Sequence, residues 1–265
     1  MRELGLEERQ LISLNILKHI ASVCNENGLD YYLAYGTLIG AVRHQGFIPW
    51  DDDIDIWVPY RDYYKLLDSL KKKEKYEVLC KKYNDDYPLM FAKVSDPTTI
   101  VKSIKDNGKS FPRGISVDVF PLVDYPNNQF GRIRLKNLLL INKIYKIDRL
   151  GVYSESPLKK LLLNRSIQIL NLIGGRRFWY KKVNMFIDRI PTSKFVIGLF
   201  SPYEVKDIHK KKNFDGTMNA LFCGSEFKIP VGYDEILRNI YGDYMMLPAE
   251  EKRVPNHKVT VFSKI

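Results

Sequence analysis

The run Asp51-Asp52-Asp53-Ile54-Asp55-Ile56-Trp57-Val58 constrains this chain more than any other segment. Four carboxylates fall within five positions and lead straight into an apolar, alternating strand pattern. Like charges repel, and burying a carboxylate is costly unless it is paired or ligates a metal. A solvated loop would account for the acids but not for the alternation that leaves them. The EF-hand pattern is also missing, since the sixth loop position holds no glycine and no glutamate closes the loop. On an extended strand residues i and i+2 share a face, so Asp53 and Asp55 project together while Ile54 and Ile56 turn to the core. Only one of Asp51 and Asp52 can join that face, and Asp52 is kept as a further candidate. Paired carboxylates of this kind suit a hard divalent cation, Mg²⁺ or Mn²⁺.

Upstream, Gly36-Thr37 stands where a short apolar stretch, Tyr31 to Ala34, turns into a predicted helix at Leu38 to His44. Such a turn presents free backbone N–H groups and suits a phosphate. Downstream, Asp118 is a lone acid in the apolar strand pattern Ile115 to Phe120. A phosphate turn, a carboxylate pair and a third acid are the parts that metal-dependent phosphoryl transfer requires. Asp53, Asp55 and Asp118 are therefore the expected catalytic and metal-binding residues.

The rest of the chain supplies an α+β frame. Residues 6 to 27 read as a helix with an apolar face, Tyr60 to Lys73 as another, and three β-like runs lie between Tyr76 and Val101. From 128 to 190 helical periodicity replaces alternation, with breaks near Ser154 to Pro157 and at Gly174-Gly175. After Pro191 mixed texture returns through Phe227 to Val231, a short helix at Asp234 to Tyr241 and a tail. The expected organisation is a catalytic core over 1–127, a basic helical insertion or subdomain over 128–190, and a part over 191–265 that completes the catalytic domain.

The formal net charge is +11, and all of it sits in one place. Residues 128–182 carry thirteen Lys/Arg against two Asp/Glu, leaving the remainder formally neutral. Three readings stand for that segment: an amphipathic surface on an anionic membrane, a nucleic-acid interface, or packed helices with a solvated face. Its apolar runs Leu138 to Ile141 and Leu161 to Leu163 fit a membrane or a core and set nucleic acid last. Three dispersed cysteines without metal-ligand spacing argue against a disulfide framework and for a reducing, cytoplasmic setting. The N-terminus is acidic where a signal peptide would be basic, and no run approaches the ~18 apolar residues of a spanning helix.

The string Gly36-Thr-Leu-Ile-Gly-Ala-Val-Arg-His44, followed by Gln-Gly-Phe-Ile-Pro-Trp-Asp-Asp-Asp-Ile-Asp55, closely resembles the signature of the LicD family, with fukutin and fukutin-related proteins as distant relatives. The likeness continues at Val117-Asp-Val-Phe-Pro-Leu122 and at Tyr241-Gly-Asp-Tyr-Met245 with Leu247-Pro248, and finds no motif over 128–215. The resemblance implies a nucleotidyltransferase-like mixed sheet flanked by helices. It implies transfer of a phosphorylated alcohol, such as phosphocholine or a polyol phosphate, from a CDP-activated donor to a sugar hydroxyl of a cell-surface glycan precursor, with CMP released. Asp53, Asp55 and Asp118 would hold metal, Gly36 and Thr37 would form the phosphate turn, and Arg43 and His44 would lie next to the donor. The acceptor is often lipid-linked in this family, which would bring the chain to the inner face of the membrane. One departure is that His257 is followed by Lys258, where the family often has a histidine pair.

Several residues keep two readings. Lys93 contacts a diphosphate or sits on a solvated strand face. His44 donates to a substrate or ends a short helix at the surface. His257 acts as a base or phosphate ligand, or is a solvated tail residue. Trp50 stacks on a base or belongs to the core. Two other functions remain open: a nucleotidyltransferase acting on RNA or a small molecule, and a catalytically silent scaffold of the glycan pathway.

Overall fold

The acid-bearing strand runs through the middle of a mixed β-sheet, and the other elements are arranged around it. The computed structural model describes residues 1–103, 111, 113–150, 156–255 and 259–264. In chain order, β1 (Arg2–Glu3) and α1 (Leu6–Glu26) lead to β2 (Tyr32–Leu33), α2 (Tyr35–Ile39), β3 (Ile54–Pro59) and α3 (Tyr60–Lys73). Then come β4 (Glu77–Leu79), β5 (Ala92–Ser95), β6 (Thr99–Ser103) and β7 (Ser116–Asp124). Helices α4 (Gln129–Leu150), α5 (Pro157–Ile173) and α6 (Gly175–Ile187) follow. The chain continues through β8 (Phe195–Gly198), β9 (Ile208–Lys210), β10 (Thr217–Phe222), β11 (Ser225–Pro230), α7 (Tyr233–Tyr241) and β12 (Val259–Ser263). The fold is α+β, as the sequence texture implies.

The main sheet has the order β2-β3-β7-β5-β4, with β8 continuing from the far end of β7 and β9 pairing β8. Strands β3 and β7 are parallel, and their other neighbours in this sheet run antiparallel. Helices α1 and α3 cover it. Helix α1 buries Cys24 and, at helical spacing, Leu14, Leu17, Ile20 and Val23, each of these four aliphatics contributing about 1.5–3 kcal/mol when fully buried. Glu8 reaches back to accept a hydrogen bond from the Gly5 N–H at 3.0 Å, which closes the open end of that helix.

Strand β3 is more deeply enclosed than a half-buried pattern allows. Ile54 and Ile56 face the core as expected, but Trp57 and Val58 are also fully buried. The reason is local: Trp57 packs edge-on against Tyr35 and Phe214, so the second face of β3 is covered by the α2 turn and the β9 region. Helix α2 starts at Tyr35, three residues before the predicted start, and continues as a π-turn over Gly40–His44. The tail contributes β12, which lies between β1 and β6.

Helices α4 and α6 meet on the extension of β7 and β8, sharing a small core of Val123, Leu135, Leu138, Val183, Ile187, Ile197 and Leu199. Helix α5 lies against these two and buries no residue. Helix α5 begins at Pro157 and gives way to α6 at Gly174-Gly175, the second break the sequence shows; Ser154 and Glu155 of the first break lie outside the described residues.

Candidate active site

The β-ladders align three charged residues. Asp55 of β3 stands directly opposite Asp118 of β7, and Asp118 stands directly opposite Lys93 of β5. Strand pleating gives all three the same face, so the two carboxylates and the ammonium form one row across adjacent strands. Lys93 donates to Asp118 in an ion pair whose side chains are only 8% and 12% exposed. The reading of Lys93 as a solvated strand residue is therefore corrected: it is buried because β5 lies inside the sheet, where only a charge partner makes a lysine tolerable.

The segment before β3 adds the other acids. Oxygens of Asp51, Asp52 and Asp53 lie within 4.8 Å of one another, the triplet among the described residues with metal-ligand proximity. Asp51 is buried and hydrogen-bonded to the Asp53 side chain, and it sits against Gly36. Burial, followed by the charges of Asp53 and Asp52, pushes its carboxyl from 3.8 up to about 8. Asp55 is pushed well above the usual carboxylate range by enclosure, then by Asp53 and Asp118. Of Asp51 and Asp52, which the sequence leaves level, Asp51 is the one that is buried against the turn. Asp52 instead turns toward Arg9 of α1, 3.8 Å away.

The turn above these acids is built from Tyr35 to Thr37. Tyr35 takes a left-handed backbone (φ 47°), unusual for a bulky residue. It is held there by a buried network: its hydroxyl accepts from Trp57 Nε1 at 2.9 Å and donates to Asp207 Oδ2 at 2.5 Å. The other Asp207 oxygen contacts His209 Nε2 at 2.9 Å. Next in the chain, Gly36 admits Asp51 because it has no Cβ; a Cβ there would meet the Asp51 Oδ2 at 2.6 Å. Thr37 Oγ1 accepts a hydrogen bond from the Asp55 backbone N–H at 2.9 Å, tying the turn to the acidic strand.

Beside the acids opens a small cleft of about 70 Å³, lined on its polar side by Arg9, Asp52, Asp53, Lys93, Arg113 and Asp118. Val101, Val259 and Val261 form its apolar wall, contributed by β6 and β12. Arg9 Nε is buried there and has no hydrogen-bond partner among the described residues. On another side, Tyr203 and Tyr241 are hydrogen-bonded to each other at 2.7 Å, and both phenols are pushed up, by burial first and partly by Asp55 and Asp51. Arg9, Arg113 and Tyr203 carried no local signal; only the fold brings them to the acids. Tyr241 opens the motif Tyr241-Gly-Asp-Tyr-Met245, which by itself assigns it no role.

Arg43 and His44 are placed differently. Arg43 donates to the backbone carbonyls of Tyr244 and Met246, and its Nε donates to His44 Nε2 at 3.0 Å. Burial, then the Arg43 charge, lowers the His44 pKa. Neither lines the cleft; Gly36, Thr37, Asp51 and Asp55 do not line it either, but unlike Arg43 and His44 they are tied to its acids through the turn and the β-ladder. Trp50 packs partly buried against the core, with Arg253 6.0 Å above its ring. His257 lies outside the described residues.

Comparison with known proteins agrees with these features. The family model described as LicD/FKTN/FKRP, nucleotidyltransferase domain, matches residues 28–134, which hold the turn, the acid cluster and Asp118. Over 268 residues the chain is 30% identical to the lipopolysaccharide cholinephosphotransferase LicD of Haemophilus influenzae, covering 97% of both proteins. Shorter likenesses link it to uncharacterized proteins of Rickettsia typhi (41% over 58 residues, 22% of this chain and 19% of that protein) and Rickettsia prowazekii (36% over 63 residues, 23% and 24%). On the near full-length match to the Haemophilus protein, the chain belongs to the LicD family.

Proposed function

We propose that this protein transfers a phosphorylated alcohol, phosphocholine or a polyol phosphate, from a CDP-activated donor to a sugar hydroxyl of a cell-surface glycan precursor in the cytoplasm. The observation that carries this reading is the row Asp55–Asp118–Lys93 beside the Asp51–Asp53 cluster and under the Gly36-Thr37 turn. It is supported by the activity named for the Haemophilus relative.

In the reaction, the acceptor oxygen attacks the phosphorus that bears the alcohol. The bond from that phosphorus to the bridging oxygen breaks, CMP leaves with the electron pair, and a phosphodiester forms. The hydroxyl proton passes to a carboxylate of the acidic row. Hydrogen-bond donors and cations aimed at the diphosphate stabilise the charge that develops on its oxygens. Arg9, whose Nε has no hydrogen-bond partner among the described residues, and Arg113 are the cleft cations assigned that role.

The acids fit a divalent cation. Clustered, enclosed carboxylates with upward-shifted pKa values are an incomplete charge arrangement that a hard cation with oxygen ligands completes. Asp53, Asp55 and Asp118, with Asp51, would hold Mg²⁺ or Mn²⁺, which supplies charge neutralisation at the phosphoryl oxygens. Lys93 orients Asp118 through their ion pair.

The test is to incubate the full chain, Mg²⁺ and glycan lacking the substituent with a panel of CDP-alcohols, and to assay CMP. Acceptor-dependent CMP release with one donor is the expected result. Transfer of a nucleotide from CTP to RNA or a small molecule, with pyrophosphate released and every CDP-alcohol inert, would overturn the assignment.

A further inference from the structure

Helix α5 is anchored on one side and bare on the other. Leu163, Ser166, Ile167 and Leu170 are half-buried, and neighbouring hydrogen bonds fix that side inward: Trp179 Nε1 donates to the Leu170 carbonyl at 3.3 Å, and Tyr145 to Asn171 Oδ1 at 3.1 Å. The opposite side carries Leu158, Leu161, Leu162, Ile169, Leu172 and Ile173, each between 54% and 88% exposed. They recur at i, i+3, i+4, i+11, i+14 and i+15, which at helical periodicity is a single continuous stripe. Six large aliphatics on one unpartnered helix face are far beyond the scattered apolar residues of an ordinary surface.

The charge around the stripe identifies what covers it. From 156 to 187 the sequence contains no Asp or Glu. Lys159, Lys160, Arg177 and Lys181 are exposed, and Arg165 stands exposed within the stripe itself. A second copy of this chain would bring the same positive field face to face with itself. A surface that is apolar inside and anionic at its edge matches both features, because long basic side chains extend from an apolar helix to the headgroup level. No helix among the described residues is long and apolar enough to cross a membrane.

We propose that α5 is an interfacial docking helix: it lies in the plane of an anionic bilayer with the Leu/Ile stripe among the acyl chains and the Lys/Arg groups at the phosphates. This deepens the function proposed above, since a lipid-linked acceptor would be met at that surface. Vesicle binding is measured without donor or acceptor, so it stands or fails separately from the transfer reaction.

The experiment is co-sedimentation of the full chain with vesicles of phosphatidylcholine alone and of phosphatidylcholine mixed with phosphatidylglycerol. Binding to the anionic vesicles should exceed binding to the neutral ones by at least about 10-fold and weaken with salt. The double substitution Leu161→Gln/Leu172→Gln should lower it by at least about 10-fold, with thermal stability unchanged because both side chains are exposed. Lys159→Glu/Lys160→Glu should lower it and flatten the salt dependence. Undiminished binding in the leucine variant would overturn the proposal. So would a wild-type chain that ignores both vesicles but dimerises in sedimentation velocity runs, with the dimer lost in that variant.

Discussion

Lys93 and Asp118 face each other across the β5·β7 ladder and form a buried ion pair at the floor of the cleft. Removing one member of such a pair leaves an uncompensated charge, which costs more than the pair itself contributes. Lys93→Met should therefore destabilise the fold by about 3–5 kcal/mol in urea unfolding. Lys93→Met/Asp118→Leu should recover stability while abolishing activity. A loss below about 1 kcal/mol in the single variant would mean that the two groups do not depend on each other.

Asp53→Asn tests the acids as chemistry. The substitution removes one negative charge from a cluster that repels itself, so the melting temperature should hold or rise. Transfer should fall by at least about 10²–10³-fold, the scale of losing one electrostatic stabiliser at a reacting centre. Near-normal CMP release by this variant would remove the acidic cluster from the mechanism.

Gly36→Ala probes the turn. Its new Cβ would crowd Asp51 Oδ2, 2.6 Å away, so that carboxylate must swing out of place. The expected outcome is a drop in turnover of about 10–100-fold with the far-ultraviolet circular dichroism spectrum retained, since small misplacements at a reacting centre are expensive. Equal activity in the two proteins would show that the turn and Asp51 act independently.

The acids also make cation binding pH-dependent. Asp51 is shifted from 3.8 to about 8, and Asp55 is shifted in the same direction. Between those values the folded chain keeps a proton that the unfolded chain has released, so without a cation stability falls as pH rises through the window. A divalent cation displaces those protons and should stabilise the fold progressively more toward the upper end. Melting curves in EDTA and in Mg²⁺, from about pH 5 to about pH 8, check both slopes. A cation-induced shift that stays constant with pH would contradict this account.

What could be read from the sequence depended on how local its cause was. The strand leaving the acids, helix α3, and the breaks at Pro157 and Gly174 follow from residue spacing and stereochemistry, and they stand where that spacing puts them. Asp118 could be singled out because a lone acid in an apolar strand is anomalous anywhere. Lys93 misled for the opposite reason: a lysine alternating with apolar neighbours looks solvated until its strand is known to have partners on both sides. Arg9 reaches the acids only through the packing of α1, and Arg113 only through the path that brings its segment beside β6. Asp51 needed one further fact, that Gly36 leaves a space for its carboxylate.

The β6–β12 wall of the cleft couples the site to the order in which the polypeptide is made. Val101 emerges from the ribosome early, whereas Val259 and Val261, which pair beside it, are added more than 150 residues later. A nascent chain that has already folded its acidic strands still lacks this flank, and a product halted at residue 250 would carry every proposed metal ligand around an unwalled groove. One flank of the cleft is therefore synthesised long after the acids it stands beside.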